Sequence, residues 1–238
     1  MKCRCGRRQP IAPVLMTDGD KLTQGKQQST KLILWRHGQT DWNKDNKFQG
    51  QADVELNAAG QRQAQISAAQ LRDLRPAAIY SSPLSRAQQT ARKLTMLTGQ
   101  EPILVDDLQE VNVGSWAGLS FDEVAARDLE FVRARDAGED YRFSAEGETA
   151  SEAGRRAAAV LRDIAERHRG QTVVAVSHGL AIRMAIAELL GWDFATAKGL
   201  LGLRNAAWAV VEQGASGFKL RAYNQGADQL EHFAEHDW

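Results

Sequence analysis

Arg36-His37-Gly38 and Ser177-His178-Gly179 each follow directly on an apolar run, and Ser81-Ser82-Pro83-Leu84-Ser85-Arg86 follows another. These residue types define a chemistry. A guanidinium grips phosphate oxygens two at a time, which favours phosphate over a simple carboxylate. A neutral imidazole with one nitrogen hydrogen-bonded and the other free is a nucleophile. A positive neighbour such as Arg36 disfavours the imidazolium form and so keeps His37 able to attack. Together these residues would bind a phosphate and let His37 take up its phosphoryl group. The charge in flight would spread over oxygens that face fixed cationic donors. Singly, each residue has a plainer reading. An arginine at a helix start is usually a solvated charge, and a histidine after a strand a satisfied turn residue. Two His-Gly loops placed alike are harder to explain that way.

Such a site needs elements that bring the three loops to one edge. Leu32–Trp35 reads as a buried strand. Asn57 reads as the N-cap of a helix with Ala64, Ala68, Leu71 and Leu74 on one face. Ala77–Ser81 reads as a second strand, and Ser82-Pro83 as the opening of a helix that puts Arg86 in its first turn. Ile103–Val105 gives a third strand. Ser120 to about Arg135 is helical in pattern, and 136–147 reads as loop. A long helix follows, with Ala157, Val160, Leu161 and Ile164 at helical spacing. Thr172–Ser177 is a β-branched strand running into His178, and a helix follows from Leu180 to about Leu190. Trp208–Glu212 and Phe218–Tyr223 close the chain as two strands joined by a turn.

This alternation predicts an α/β fold: three αβα layers around a mostly parallel central sheet. Sites in such sheets form at the carboxyl ends of strands, beside helix N-termini that favour anions. Both histidines fall at such ends. Residues 1–30 read as a flexible tail and 31–226 as one domain, with a cap-like insertion at about 115–150. Residues 227–238 read as a C-terminal tail.

Bulk properties exclude several classes. The 238 residues carry equal numbers of basic and acidic side chains, 30 each, so no field over the whole chain favours nucleic acid. Apolar content is 43%, and no stretch approaches a membrane span. Cys3 and Cys5 are too close in sequence for an unstrained bridge, which points to a reduced, cytoplasmic protein with tail thiols. No cluster has metal-ligand spacing and no Walker-type loop is present, so no metal and no cofactor is expected.

At this point the residues resemble a known family. Arg36-His37-Gly38 after a strand, Arg86 in Ser-Ser-Pro-Leu-Ser-Arg-Ala, and the later Ser-His-Gly look like the histidine phosphatase superfamily, also called phosphoglycerate-mutase-like. The likeness runs from about Lys31 to Tyr223. It implies that His37 is the nucleophile that becomes phosphohistidine. It implies that Arg36, Arg86 and His178 hold the phosphoryl oxygens, joined by Asn43. It places Gln49 and Gly50 at the substrate. Glu110, followed by Gly114-Ser115-Trp116-Ala117-Gly118, matches the phosphatase-type acid. That acid would protonate the leaving alkoxide and then activate water. Asn205, before a strand near the site, would brace a histidine loop.

The resemblance implies hydrolysis of a small phosphorylated metabolite, a sugar phosphate or phosphoglycerate derivative. The runs His37–Gly60, Asn205–Trp208 and Tyr223-Asn224 are similar to actinobacterial glucosyl-3-phosphoglycerate phosphatases. Two alternatives stand beside this reading: mutase-type phosphoryl transfer, and a silent member that only binds a phosphorylated ligand. Family analogy alone raises a homodimer through an edge strand.

Overall fold

The computed structural model describes residues 29–226. The tails read for the remaining positions, with Cys3, Cys5, His232 and His236, fall outside the described residues. In chain order the elements are β1 (Thr30–Arg36), α1 (Asp41–Lys44), α2 (Ala58–Arg72), β2 (Ala78–Ser81), α3 (Ser85–Thr98), β3 (Ile103–Leu104), α4 (Phe121–Ala125) and α5 (Leu129–Ala137). They continue with α6 (Ala150–Arg167), β4 (Thr172–Ser177), α7 (Gly179–Leu190), α8 (Phe194–Ala197), β5 (Trp208–Gly214) and β6 (Gly217–Gln225).

The sheet has six strands in the order β3-β2-β4-β1-β5-β6. The first four in that order run parallel; β5 is antiparallel to β1 and β6 to β5. The mostly parallel sheet expected from the alternation is therefore present. Side chains alternate across it, as the pleat requires. Leu32, Leu34, Val173 and Ala175 meet Leu161 and Ile164 of α6 and Ile182 and Ile186 of α7 on one face. Ile33, Trp35, Val174 and Val176 meet Ala64, Ala68 and Leu71 of α2 and Ala87, Ala91 and Leu94 of α3 on the other. A third cluster joins Phe48, Val111, Val113, Trp116, Phe131 and Phe143 to Met184 of α7.

Local readings differ from this structure in three places. The helix after β2 begins at Ser85, not at Ser82-Pro83. The Ser82 N–H still donates to Val176 O at 2.9 Å, which continues the ladder past β2, and Leu84 stays extended. The pattern over 120–135 is two helices, not one. Asp128 breaks it, its carboxylate accepting from Phe131 N at 3.0 Å as the N-cap of α5. Leu74 lies beyond the end of α2 and is 44% exposed, so it does not extend that helix's apolar face. The Asn57 cap is as expected, with Oδ1 accepting from Gly60 N at 2.9 Å.

Candidate active site

Adjacent parallel strands leave a sheet in the same direction, so residues just past their ends become neighbours. β1 and β4 pair with Arg36 opposite Ser177, and the His37 N–H donates to Ser177 O at 3.1 Å. The two histidines therefore stand ring to ring, with centroids 5.1 Å apart. Both are buried.

Hydrogen bonds assign a proton to each ring. His37 Nδ1 lies 2.7 Å from Gly38 O, and a carbonyl only accepts, so Nδ1 carries the hydrogen and Nε2 keeps its lone pair. His178 Nε2 lies 2.8 Å from Ser82 Oγ. Leu84 N donates to that hydroxyl at 3.3 Å, and among the described residues its own hydrogen has no other acceptor than Nε2, toward which it turns. The His178 hydrogen then sits on Nδ1, a buried donor with no partner among the described residues. Ser82→Ala is expected to release this tautomer and lower kcat about tenfold, in line with one lost hydrogen bond. Ring ¹⁵N shifts of His178 would check it; an unchanged tautomer in the variant would refute the assignment.

Both rings are held neutral. Burial is the main cause for His37, reinforced by Arg86 and Arg36, with the Gly38 carbonyl opposing. For His178, burial is followed by Arg86, His37 and Arg36. A histidine whose folded pKa is lowered stabilises the fold above its unfolded value of about 6.5 and loses that contribution as pH falls. Stability measured by denaturant between pH 7 and 5 should fall by up to about 1.4 kcal/mol per pH unit for each ring. A flat profile in His37→Asn/His178→Asn, beside a sloping wild type, is the expected pattern.

The cations are fixed by backbone carbonyls. Arg86 is fully buried in the first turn of α3; Nη1 donates to Ala52 O and Nη2 to Gly50 O, both at 2.7 Å. Its Nε is buried without a partner among the described residues. Burial lowers the Arg86 pKa to about 10, with Glu110 and Asp53 drawing it back up, so it stays charged at neutral pH. Gly50 has φ +50°, and a Cβ there would lie 2.5 Å from Val113 Cγ2, so this carbonyl-presenting turn requires glycine. Arg36 donates through Nη1 to Leu203 O.

The remaining candidates line the same cavity of about 140 Å³, whose wall includes Arg36, His37, Asn43, Gln49, Arg86 and Glu110. Asn43 Oδ1 accepts from Thr40 N at 3.1 Å and from Asn205 Nδ2 at 3.2 Å, leaving its amide hydrogens for the cavity. Gln49 Oε1 accepts from Thr40 Oγ1 at 3.0 Å. Glu110 Oε1 accepts from Val111 N and Ala181 N, both at 2.9 Å, and Oε2 from Leu180 N at 3.2 Å. Its carboxylate therefore caps the N-terminus of α7, where the helix dipole favours negative charge. His178 is not part of the wall and reaches the site against the His37 ring.

Asn205 braces the His37 loop as read, donating to His37 O at 3.3 Å. The Trp42 ring packs toward Gly118. Three residues escaped the reading. Ser82 orients His178, and Thr90 Oγ1 accepts from Gly38 N at 3.1 Å. Arg183, buried on the wall, is a lone cation in the otherwise apolar first turns of α7, and that isolation was its available signal.

The model of the histidine phosphatase superfamily (branch 1) matches residues 32–226. Phosphoserine phosphatase 1 of Hydrogenobacter thermophilus is 34% identical over 76% of this chain and 85% of its own length. The mycobacterial glucosyl-3-phosphoglycerate phosphatase in complex with VO3 superposes with TM-score 0.74 at 33% identity, over 82% of this chain and 98% of that one. Phosphoserine phosphatase from Entamoeba histolytica in complex with 3-phosphoglyceric acid gives TM-score 0.75 at 32% identity, over 84% and 98%. Among the described residues, no helix is long and apolar enough to cross a membrane.

Proposed function

We propose, given that this chain belongs to the histidine phosphatase superfamily, that His37 Nε2 carries its catalysis as the nucleophile. The protein is a phosphoric monoester hydrolase of small phosphorylated metabolites. One observation carries the residue assignment: Nδ1 is committed to Gly38 O, so the free lone pair is on Nε2, in a ring on the cavity wall with Arg36 and Arg86. Nε2 attacks phosphorus and the ester P–O bond breaks. The unspent donors of Arg86, with Arg36, His178 Nδ1 and the Asn43 amide, take the charge on the phosphoryl oxygens. Gln49 and Gly50 border the alcohol part of the substrate.

Glu110 supplies the proton that the departing alkoxide needs. Once ionised, the same carboxylate takes a proton from water as that oxygen attacks phosphorus. The N–P bond then breaks, and inorganic phosphate leaves.

The relatives' substrates carry a carboxylate near the phosphate, and glucosyl-3-phosphoglycerate leads this proposal on the segments His37–Gly60 and Asn205–Trp208. Phosphate release across glucosyl-3-phosphoglycerate, phosphoserine, 3-phosphoglycerate and simple sugar phosphates tests it. The expected lead of glucosyl-3-phosphoglycerate in kcat/KM is at least about tenfold, ~1.4 kcal/mol of transition-state binding. No preference would sink the substrate. Formation of 2-phosphoglycerate faster than phosphate release would establish the mutase reading instead. A cytoplasmic location and a homodimer through the β3 edge, where Ile103 and Leu104 are half-exposed, complete the proposal.

A further inference from the structure

Glu110 lies in a stretch without helix or strand, between the Asp106–Leu108 turn and the Gly114–Trp116 turn. A proton donor must nonetheless be held within a fraction of an ångström of the departing oxygen. We propose that Arg156 of α6, paired with Glu148, is the positioning residue that sets the Glu110 loop; this rests on the reading of Glu110 as the acid.

A guanidinium has five N–H donors in a rigid fork. At Arg156 all of them are engaged with this loop or its partner. Nη1 donates to Asp107 O at 2.9 Å and Gln109 O at 2.8 Å; Nη2 donates to Glu110 O at 2.7 Å and Glu148 Oε2 at 2.9 Å; Nε donates to Glu148 Oε1 at 2.8 Å. Glu148 extends the grip. Its Oε2 accepts from Asn112 N and its own N–H donates to Asn112 O, both at 2.8 Å. The loop is thus held from Asp107 to Asn112, on both sides of the acid. Ser177 Oγ anchors its start by donating to Leu108 O at 2.7 Å. Arg156 is 18% and Glu148 23% exposed, so this pair is largely shielded from water and acts at a fixed geometry. Lysine keeps the charge but offers three donors from one atom and cannot span these acceptors.

The test reads proton donation rather than stability alone. An alkyl ester such as phosphoserine needs its leaving oxygen protonated, whereas p-nitrophenolate departs without help. kcat/KM reports the steps up to departure of the alcohol, so phosphoenzyme hydrolysis does not enter. Arg156→Lys is expected to lower kcat/KM about 30-fold on phosphoserine and less than about threefold on p-nitrophenyl phosphate, part of what a general acid contributes. Glu148→Gln should show the same selectivity, smaller, and decides the matter if Arg156→Lys does not fold. Glu110→Gln, measured alongside, should show the full selectivity. Equal losses on both esters, or no loss, in both clamp variants beside a selective Glu110→Gln would overturn the clamp and leave the acid standing. A non-selective Glu110→Gln would remove the acid assignment and the clamp with it.

Discussion

His37→Ala should lower turnover by at least about 10⁴-fold, the scale seen when a covalent nucleophile is removed and only binding and electrostatics remain. On the proposed reading the ring contributes the attacking atom, and among the described residues no other imidazole lines the cavity wall. Labelled substrate quenched in base should leave acid-labile, base-stable label on wild type and none on the variant. The loss should reside in kcat, with the phosphate cradle intact. Arg86 stays pinned to Gly50 O and Ala52 O, and those bonds do not involve His37. Inorganic phosphate should therefore still bind the variant. An unlabelled wild type under turnover would eliminate the covalent route and leave direct attack by water.

Arg86→Lys is expected to cost about 10²–10³-fold in kcat/KM although it conserves charge, the range for one missing transition-state donor. Arginine divides its donors here. One N–H from each terminal nitrogen holds the 50–52 turn, which frees Nε and the second hydrogens for phosphate. Lysine has one nitrogen and must abandon one task or the other. Inhibition by vanadate, which resembles the phosphoryl group in flight, should weaken more than inhibition by phosphate. A variant with near-normal kcat/KM would show that Arg86 serves the turn and not the substrate.

The fold and the principal candidates were legible because one signal served both. An apolar strand ending in His-Gly marks a sheet edge and a reactive ring at once, and two such strands made His37 and His178 neighbours. Arg86 followed from the turn beyond β2, even though the helix starts later than Pro83 suggested. Glu110 carried no local signal and depended on resemblance, since an isolated loop carboxylate reads as solvated. Ser82, Thr90 and Arg156 were not legible for a related reason. Each acts through contacts to backbone or ring atoms far away in sequence, as Arg156 does to Glu110 across 46 positions. Periodicity reports burial, and these residues are defined by what they touch.

β1 also bears on how the chain is made. Of the described strands it is synthesised first, yet its neighbours are β4, beginning at Thr172, and β5, beginning at Trp208. Until both have emerged from the ribosome, Leu32–Trp35 has two bare edges, the condition that invites strand pairing between chains. The strand that delivers His37 is therefore an aggregation hazard during translation. The site closes only when Asn205 arrives to brace His37, so catalytic competence is among the last properties a newly made molecule acquires.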